Sequence, residues 1–221
     1  MLFGEAGADH LFGDLGNDLI DAGTANDMAF AGDGDDVFLA GLNDGDDTYY
    51  GDAGSDTLDM SAITANVTVD LGTGFMGRGS ASSTLSGSDT LWGIENVITG
   101  TGNDKITASD AVNVIDAGLG SDTFRFTSAA AANGDTIMSF EVGDRIDLSA
   151  MDANGGVDGN QAFTLVPGGA FTGVGQLIVT HETWNNGEFT VIQGNVSGDV
   201  APEFKINIAG HHTLTAADLA A

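Results

Sequence analysis

Through the first sixty residues, a buried-type apolar residue recurs neither every second position nor every third and fourth, but once in nine. Aligned as Gly4–Phe12, Gly13–Asp21, Ala22–Phe30 and Ala31–Leu39, the eighth position reads Leu11, Ile20, Ala29 and Phe38. After a two-residue insertion, Ala40 and Gly41, the phase resumes in Leu42–Tyr50 and Gly51–Asp59 with Tyr49 and Leu58. Two residues before each of these stands an aspartate: Asp9, Asp18, Asp27, Asp36, Asp47 and Asp56. An amphipathic helix needs apolar positions every three or four residues, so the pattern excludes one. It predicts a six-residue turn followed by a strand too short to bury more than one side chain. Glycines at the first, second and fourth places permit positive φ and close backbone approach. Two nonapeptides then make one coil of turn, strand, turn, strand, and copies two apart stack on the same side.

A second block repeats the pattern in Thr99–Thr107, Ala108–Asp116 and Ala117–Arg125, with Asp104 and Ile106, Asn113 and Ile115, Asp122 and Phe124. A weaker copy, Thr84–Trp92, carries Asp89 and Leu91, and Trp92 is expected to pack in the core. Between the blocks, Ala65–Phe75 alternates as a strand. From Phe126 onward period-two segments take over, among them QLIVTHETW, EFTVIQGNV and EFKINIAG, and Asn185-Asn186-Gly187 reads as a hairpin turn. The expected organisation is a first repeat block over 1–59, an irregular connector over 60–98, a second block over 99–125 and a C-terminal antiparallel cap over 126–221. The fold class is all-β, a parallel roll closed by an antiparallel, sandwich-like region.

Charge narrows the function. Five Lys and Arg against 33 Asp and Glu give a net charge of −28. Nucleic acid and anionic membranes are thereby disfavoured as partners, since both are polyanions. No apolar run is long enough to span a bilayer. Without cysteine there is no disulfide or thiolate-metal site. Stacked turns would align the aspartates and turn carbonyls in a ladder that repels itself unless cations neutralise it. Hard oxygen donors in a flexible loop suit calcium.

Catalytic motifs fail on inspection. HETWN at His181 begins like an HExxH zinc helix but has Asn185 where the second His belongs, in strand context. Asp152–Asn160 begins like an EF-hand, yet the twelfth position is Phe163 rather than Glu. Gly-x-Ser-x-Gly is absent, and adjacent His211 and His212 read as exposed residues.

The nonapeptides resemble the repeats-in-toxin (RTX) motif GGxGxDxUx. The resemblance implies a parallel β-roll holding several calcium ions between turns. Its carboxylate ligands would be Asp9, Asp18, Asp27, Asp36, Asp47, Asp56, Asp104 and Asp122. Its carbonyl donors would lie at Gly4, Gly7, Gly13, Gly16, Gly23, Gly32, Gly34, Gly45, Gly51, Gly54, Gly100, Gly102, Gly118 and Gly120. Three departures stand out: Ala22 and Ala25 replace glycine and should strain the third turn, Asn113 replaces aspartate and should weaken its site, and the insertion at Ala40 and Gly41 should bulge the ladder. The C-terminal half is similar to that of secreted serralysin metalloproteases in Gly143–Ala150, Phe171–Leu177 and Phe204–Asp218. That likeness implies a secreted, extracellular or cell-surface protein and partnership with type I secretion machinery, whose signal would be Asp218, Leu219, Ala220 and Ala221. Met1 stands directly before a repeat, which reads as the tail of a longer polypeptide. The expected function is a non-catalytic module that folds on calcium outside the cell. The alternatives are a calcium-dependent adhesive or self-associating matrix module and the solenoid of a polysaccharide-modifying enzyme.

Overall fold

Two β-sheets face each other across a single apolar core in the computed structural model, which describes residues 1–72, 77–184, 187–198 and 200–220. The first sheet runs Leu2–Phe3, Leu19–Asp21, Val37–Leu39, Thr57–Asp59, Asn96–Ile98, Val114–Asp116 and Thr136–Ser139 in spatial order. The second begins His10–Phe12, Met28–Asp33, Thr48–Ala53 and Gly87–Trp92. Successive nonapeptides alternate between the sheets, so each pair makes one coil of a parallel roll.

The one-in-nine residues are the core. Ile20, Phe38, Leu58, Val97, Ile115 and Ile137 stand in register along the first sheet. Leu11, Ala29, Tyr49 and Leu91 do so along the second. All are buried, and Phe38 meets Tyr49 across the interior with ring centroids 5.0 Å apart. Strand neighbours flanking each buried residue point outward, as the period of two requires.

Trp92 departs from expectation. Leu91 fills the core while Trp92, in the ninth position, turns to the outer face. There it ends a stack of parallel rings: Phe12 on Phe30 at 5.1 Å, Phe30 on Tyr50 at 4.6 Å, and Tyr50 on Trp92 at 6.1 Å. The spacing follows that of neighbouring strands, which sets identical positions of stacked coils about one ring apart.

The connector is less regular than a coil. Val67–Asp70 pairs antiparallel with Arg78–Ser83, which pairs antiparallel with Gly87–Trp92 before the parallel order resumes at Lys105–Thr107. Of the strand expected over Ala65–Phe75, residues 73–75 lie outside the described residues.

Parallel coils continue past Phe126. Thr123–Arg125 pairs in parallel with Arg145–Asp147, and that strand with Leu219–Ala220. Antiparallel pairing enters at Gln176–Trp184, Gly187–Asn195 and Phe204–Ala209. Phe204–Ala209 lies parallel to Thr136–Ser139, so these strands extend the first sheet of the roll. The turn expected at Asn185-Asn186-Gly187 falls largely outside the described residues, although the strands it would join are paired as Trp184↔Gly187.

The two alanine departures differ. Ala22 is buried in the core, whereas Ala25 is exposed with φ 88°, a left-handed conformation that disfavours any side chain with a Cβ. Ala25→Gly should therefore stabilise the calcium-loaded protein by about 1 kcal/mol, and Ala22→Gly should destabilise it, as read from urea denaturation midpoints.

Candidate metal centre

The sixth-position aspartates end the turns, just before each strand, and their carboxylates reach the backbone of the preceding coil. On one side Asp27 Oδ1 accepts the Asp9 N–H at 2.7 Å, Asp47 Oδ1 that of Asp27 at 2.8 Å and Asp89 Oδ1 that of Asp47 at 3.0 Å. On the other, Asp36 Oδ1 accepts from Asp18 at 2.6 Å, Asp56 Oδ1 from Asp36 at 2.9 Å and Glu95 Oε2 from Asp56 at 2.9 Å. Asp18 Oδ1 lies 3.3 Å from the amino group of Met1. The second block repeats the arrangement: Asp104 takes Val67, Asp122 takes Asp104 and Asp144 takes Asp122, each at 2.8 Å.

In most of these carboxylates one oxygen is thus committed to the fold and the other is left over; in Asp47 and Asp144 both are taken, Oδ2 accepting from the Tyr49 hydroxyl and the Glu141 N–H, each at 2.8 Å. Oδ2 of Asp9, Asp27, Asp36, Asp56, Asp89, Asp104, Asp122 and Asp135 is buried with no hydrogen-bond partner. A buried carboxylate oxygen without a donor or cation is costly. The cost appears as proton affinity. Burial above all, reinforced by neighbouring carboxylates, pushes Asp56 and Asp89 up to about 7 and Asp122 up to about 6. Burial alone does the same to Asp135, which also reaches about 7.

At all but two of the expected glycines an added Cβ would collide with the backbone of a stacked coil, and some carry a second constraint. At Gly4, Gly13, Gly51, Gly102 and Gly120 a Cβ would press on the carboxylate of the same copy as well as on that backbone. At Gly23, Gly32, Gly34, Gly45, Gly54, Gly100 and Gly118 a Cβ would collide with the backbone of a stacked coil. Gly54, at φ 149° directly against Gly34, is the clearest case of both needs at once. Gly7 and Gly16 face open space.

Among the described residues, no three His, Asp or Glu side chains converge on one point. Carboxylates come one per turn, so a cation here takes most of its ligands from turn carbonyls and water. Calcium tolerates such a set, with six to eight oxygens in loose geometry. The donors are all oxygen, uncompensated and set beside glycine cradles, and they fit it.

Several members of the ladder escaped the nonapeptide pattern: Asp44, Glu95, Asp135 and Asp144. Three of them carry its mark, an acidic residue two before a buried aliphatic, in Glu95-Asn96-Val97, Asp135-Thr136-Ile137 and Asp144-Arg145-Ile146. Asn113, expected to weaken its site, is occupied locally, its Oδ1 accepting the Ser109 N–H at 2.8 Å and its Nδ2 donating to Ser109 Oγ at 2.8 Å. His181 lies in a strand, its ring stacked on His211 at 3.8 Å. His211 is exposed as expected, whereas His212 is half-buried with its ring edge-on to Phe140. Of the expected export signal, Asp218 Oδ2 accepts the Thr215 N–H, Leu219 is buried in the second sheet and Ala220 pairs with Asp147; Ala221 lies outside the described residues.

No curated protein matches the chain. Among solved structures it is similar to the solution structure of the AlgE6R3 subunit of the Azotobacter vinelandii mannuronan C5-epimerase, at 21% identity over 94% of this chain and 78% of that one, with a TM-score of 0.28. The RTX calcium-binding nonapeptide repeat matches over 1–29, 16–44 and 23–58, and such repeats bind calcium ions in multiples. Together with the serralysin C-terminal region, they are typical of secreted bacterial proteins. Because the family described as peptidase M10 serralysin C terminal matches residues 48–220, most of its length, the chain belongs to that family and carries an RTX calcium-binding roll at its start.

Proposed function

We propose that this chain is a non-catalytic module that folds when it binds calcium outside the cell, and that it serves as the stabilising and type I secretion tail of a larger secreted protein. The observation that carries the reading is the row of buried, unpartnered Oδ2 atoms along the ladder. In this reading Asp9, Asp18, Asp27, Asp36, Asp56, Asp89, Asp104 and Asp122 supply the anionic oxygens, and turn carbonyls around the glycines complete each set. Calcium, when bound, would supply the positive charge that these oxygens lack. The residues themselves do the rest: in Asp27, Asp36, Asp56, Asp89, Asp104 and Asp122 Oδ1 fixes the carboxylate to the neighbouring backbone, and Oδ2 is held ready for the ion.

Linkage then makes calcium a folding switch. Ions that bind only the folded roll stabilise it by mass action. Extracellular modules hold calcium at roughly 10⁻⁴ to 10⁻³ M, so cytosolic levels leave such a chain unfolded. The C-terminus supports this order of events. Leu219 is buried and Ala220 is paired once the roll is formed, so secretion machinery would read this segment on the unfolded chain.

Calcium titration of EDTA-treated protein, followed by far-ultraviolet circular dichroism, tests the switch. A cooperative coil-to-β transition is expected with calcium and little response to magnesium, which demands a stricter octahedral shell. A chain fully β-folded in EDTA and indifferent to calcium would overturn the reading.

A further inference from the structure

Within the first block, the fifth copy departs from the pattern in which one oxygen of a ladder carboxylate stays open. Asp47 Oδ1 receives the Asp27 N–H at 2.8 Å, and its Oδ2 receives the hydroxyl of buried Tyr49 at 2.8 Å. Three residues earlier, however, Asp44 is only 3% exposed and neither of its oxygens has a hydrogen bond of full geometry, although the N–H groups of Gly41, Asp44 and Gly45 lie close enough to act on it. That is unusual for the third position of a copy: Ala6, Leu15, Thr24, Asp33 and Ala53 are all exposed.

The reason lies in the two-residue insertion and in the strand that follows the connector. The loop after Ala40 and Gly41 is fastened to the weak copy by the Asn43 N–H, donated to the Leu85 carbonyl at 2.8 Å, and the Gly45 N–H, donated to the Ser86 carbonyl at 3.3 Å. Across this seam Ser86 Oγ and Asp89 Oδ2 are likewise buried, at 4% and 3% exposure, and unpartnered. Of the charges around Asp89, Asp44 acts on it most strongly.

We propose that Asp44 and Ser86, which lie outside the sixth-position ladder, join Asp89 in one calcium site, in which Asp44 takes over the role that Asp47 has ceded to Tyr49. The proposal rests on the calcium reading above. Two carboxylates and a hydroxyl offer hard oxygens and a charge of −2, which matches a divalent cation, with carbonyls or water filling the remaining positions. A transition metal would want nitrogen or sulfur donors, and the seam presents none.

Equilibrium dialysis against radioactive calcium chloride at saturation, on the whole chain, reads the site directly. Asp44→Asn should bind one ion fewer than the unaltered protein. Asp46→Asn should bind the full number, because Asp46 is exposed and its Oδ1 accepts the Ser88 N–H at 2.9 Å. Ser86→Ala keeps the charge and should weaken one ion roughly fivefold, so the proposal stays testable if Asp44→Asn folds poorly. A second readout carries the opposite sign. In chelator, Asp44→Asn should fold at a lower trimethylamine N-oxide concentration than the unaltered chain, because a buried uncompensated charge is gone, while in calcium it should unfold at lower urea. Unchanged stoichiometry in Asp44→Asn, with several ions bound by both proteins, would overturn this site alone. A protein that binds no calcium at all would instead overturn the function proposed above.

Discussion

Replacing Asp36 by Ala will raise the calcium concentration at half-folding by at least about tenfold, and Asp36→Asn will raise it by less. Asp36 is completely buried in the middle of its ladder. It accepts the Asp18 N–H at 2.6 Å, gives its own N–H to Asp56 Oδ1 at 2.9 Å and keeps Oδ2 open. Alanine removes a charge-assisted hydrogen bond, leaves the Asp18 N–H without its acceptor and deletes a ligand. An orphaned buried donor alone costs about 1–3 kcal/mol, and 1.4 kcal/mol is a factor of ten. Asparagine keeps the Oδ1 acceptor and loses only the charge and the ligand oxygen.

The order of the two variants discriminates between readings. If the ladder were merely a repulsive acidic face, Asp36→Asn would relieve repulsion and stabilise the fold with or without calcium. In a solenoid each coil touches only its neighbours, so a defect at Asp36 should also broaden the transition by uncoupling the coils on either side. Circular dichroism across a calcium series measures both midpoint and steepness. Asp18→Ala should act more weakly, since Asp18 is only half-buried and stands in the first coil.

Most of the roll was written locally. An aspartate at the sixth position and an apolar residue at the eighth suffice to place turn, strand and core, because each coil is built from eighteen consecutive residues and repeats. The same phase held the answer for Trp92: as the ninth residue of Thr84–Trp92 it shares the outward position of Phe12, Phe30 and Tyr50, and the ring stack follows. Its bulk suggested burial, and phase overrode bulk. Asp135 and Asp144 were obscured because their coils are longer, with 22 residues separating Asn113 from Asp135 and Asp122 from Asp144. The aspartate two before an isoleucine survives, but a fixed spacing misses it. Asp44 had no local mark at all. Its burial comes from the weak copy some forty residues later, and long-range packing of that kind leaves no signature in a nine-residue window. The antiparallel strand Arg78–Ser83 is similar: its sequence, RGSASS, is small and polar, and only its neighbours make it a strand.

Protons and calcium should compete for the same oxygens, and the competition should be visible between pH 5 and 8. In the metal-free roll, burial and neighbouring carboxylates hold Asp56 and Asp89 at about 7, burial alone holds Asp135 there, and burial with neighbouring carboxylates keeps Asp44 and Asp122 at about 6. In the unfolded chain these groups titrate near the ordinary aspartate value of about 3.9. The folded state therefore binds more protons than the unfolded state between pH 4 and 7. Stability from this source is present at low pH and is lost as the pH rises through 6 to 7. In chelator, acidification from pH 8 to pH 5 should thus increase β content, a partial substitute for the cation. In calcium the same protons must leave before the ion can bind. The dissociation constant of calcium for the already folded roll, measured in trimethylamine N-oxide, should then rise below pH 7, by up to about tenfold per pH unit for each proton displaced per ion, whereas the calcium concentration at half-folding should not climb, because the unfolded chain carries none of these protons above pH 5. A roll that gains metal-free stability and loses calcium affinity as the pH falls is the signature of one set of oxygens serving two ligands. A calcium affinity of the folded roll that stayed flat from pH 8 to pH 5 would mean that the buried carboxylates are not where the ion binds, and turn carbonyls alone would have to hold it.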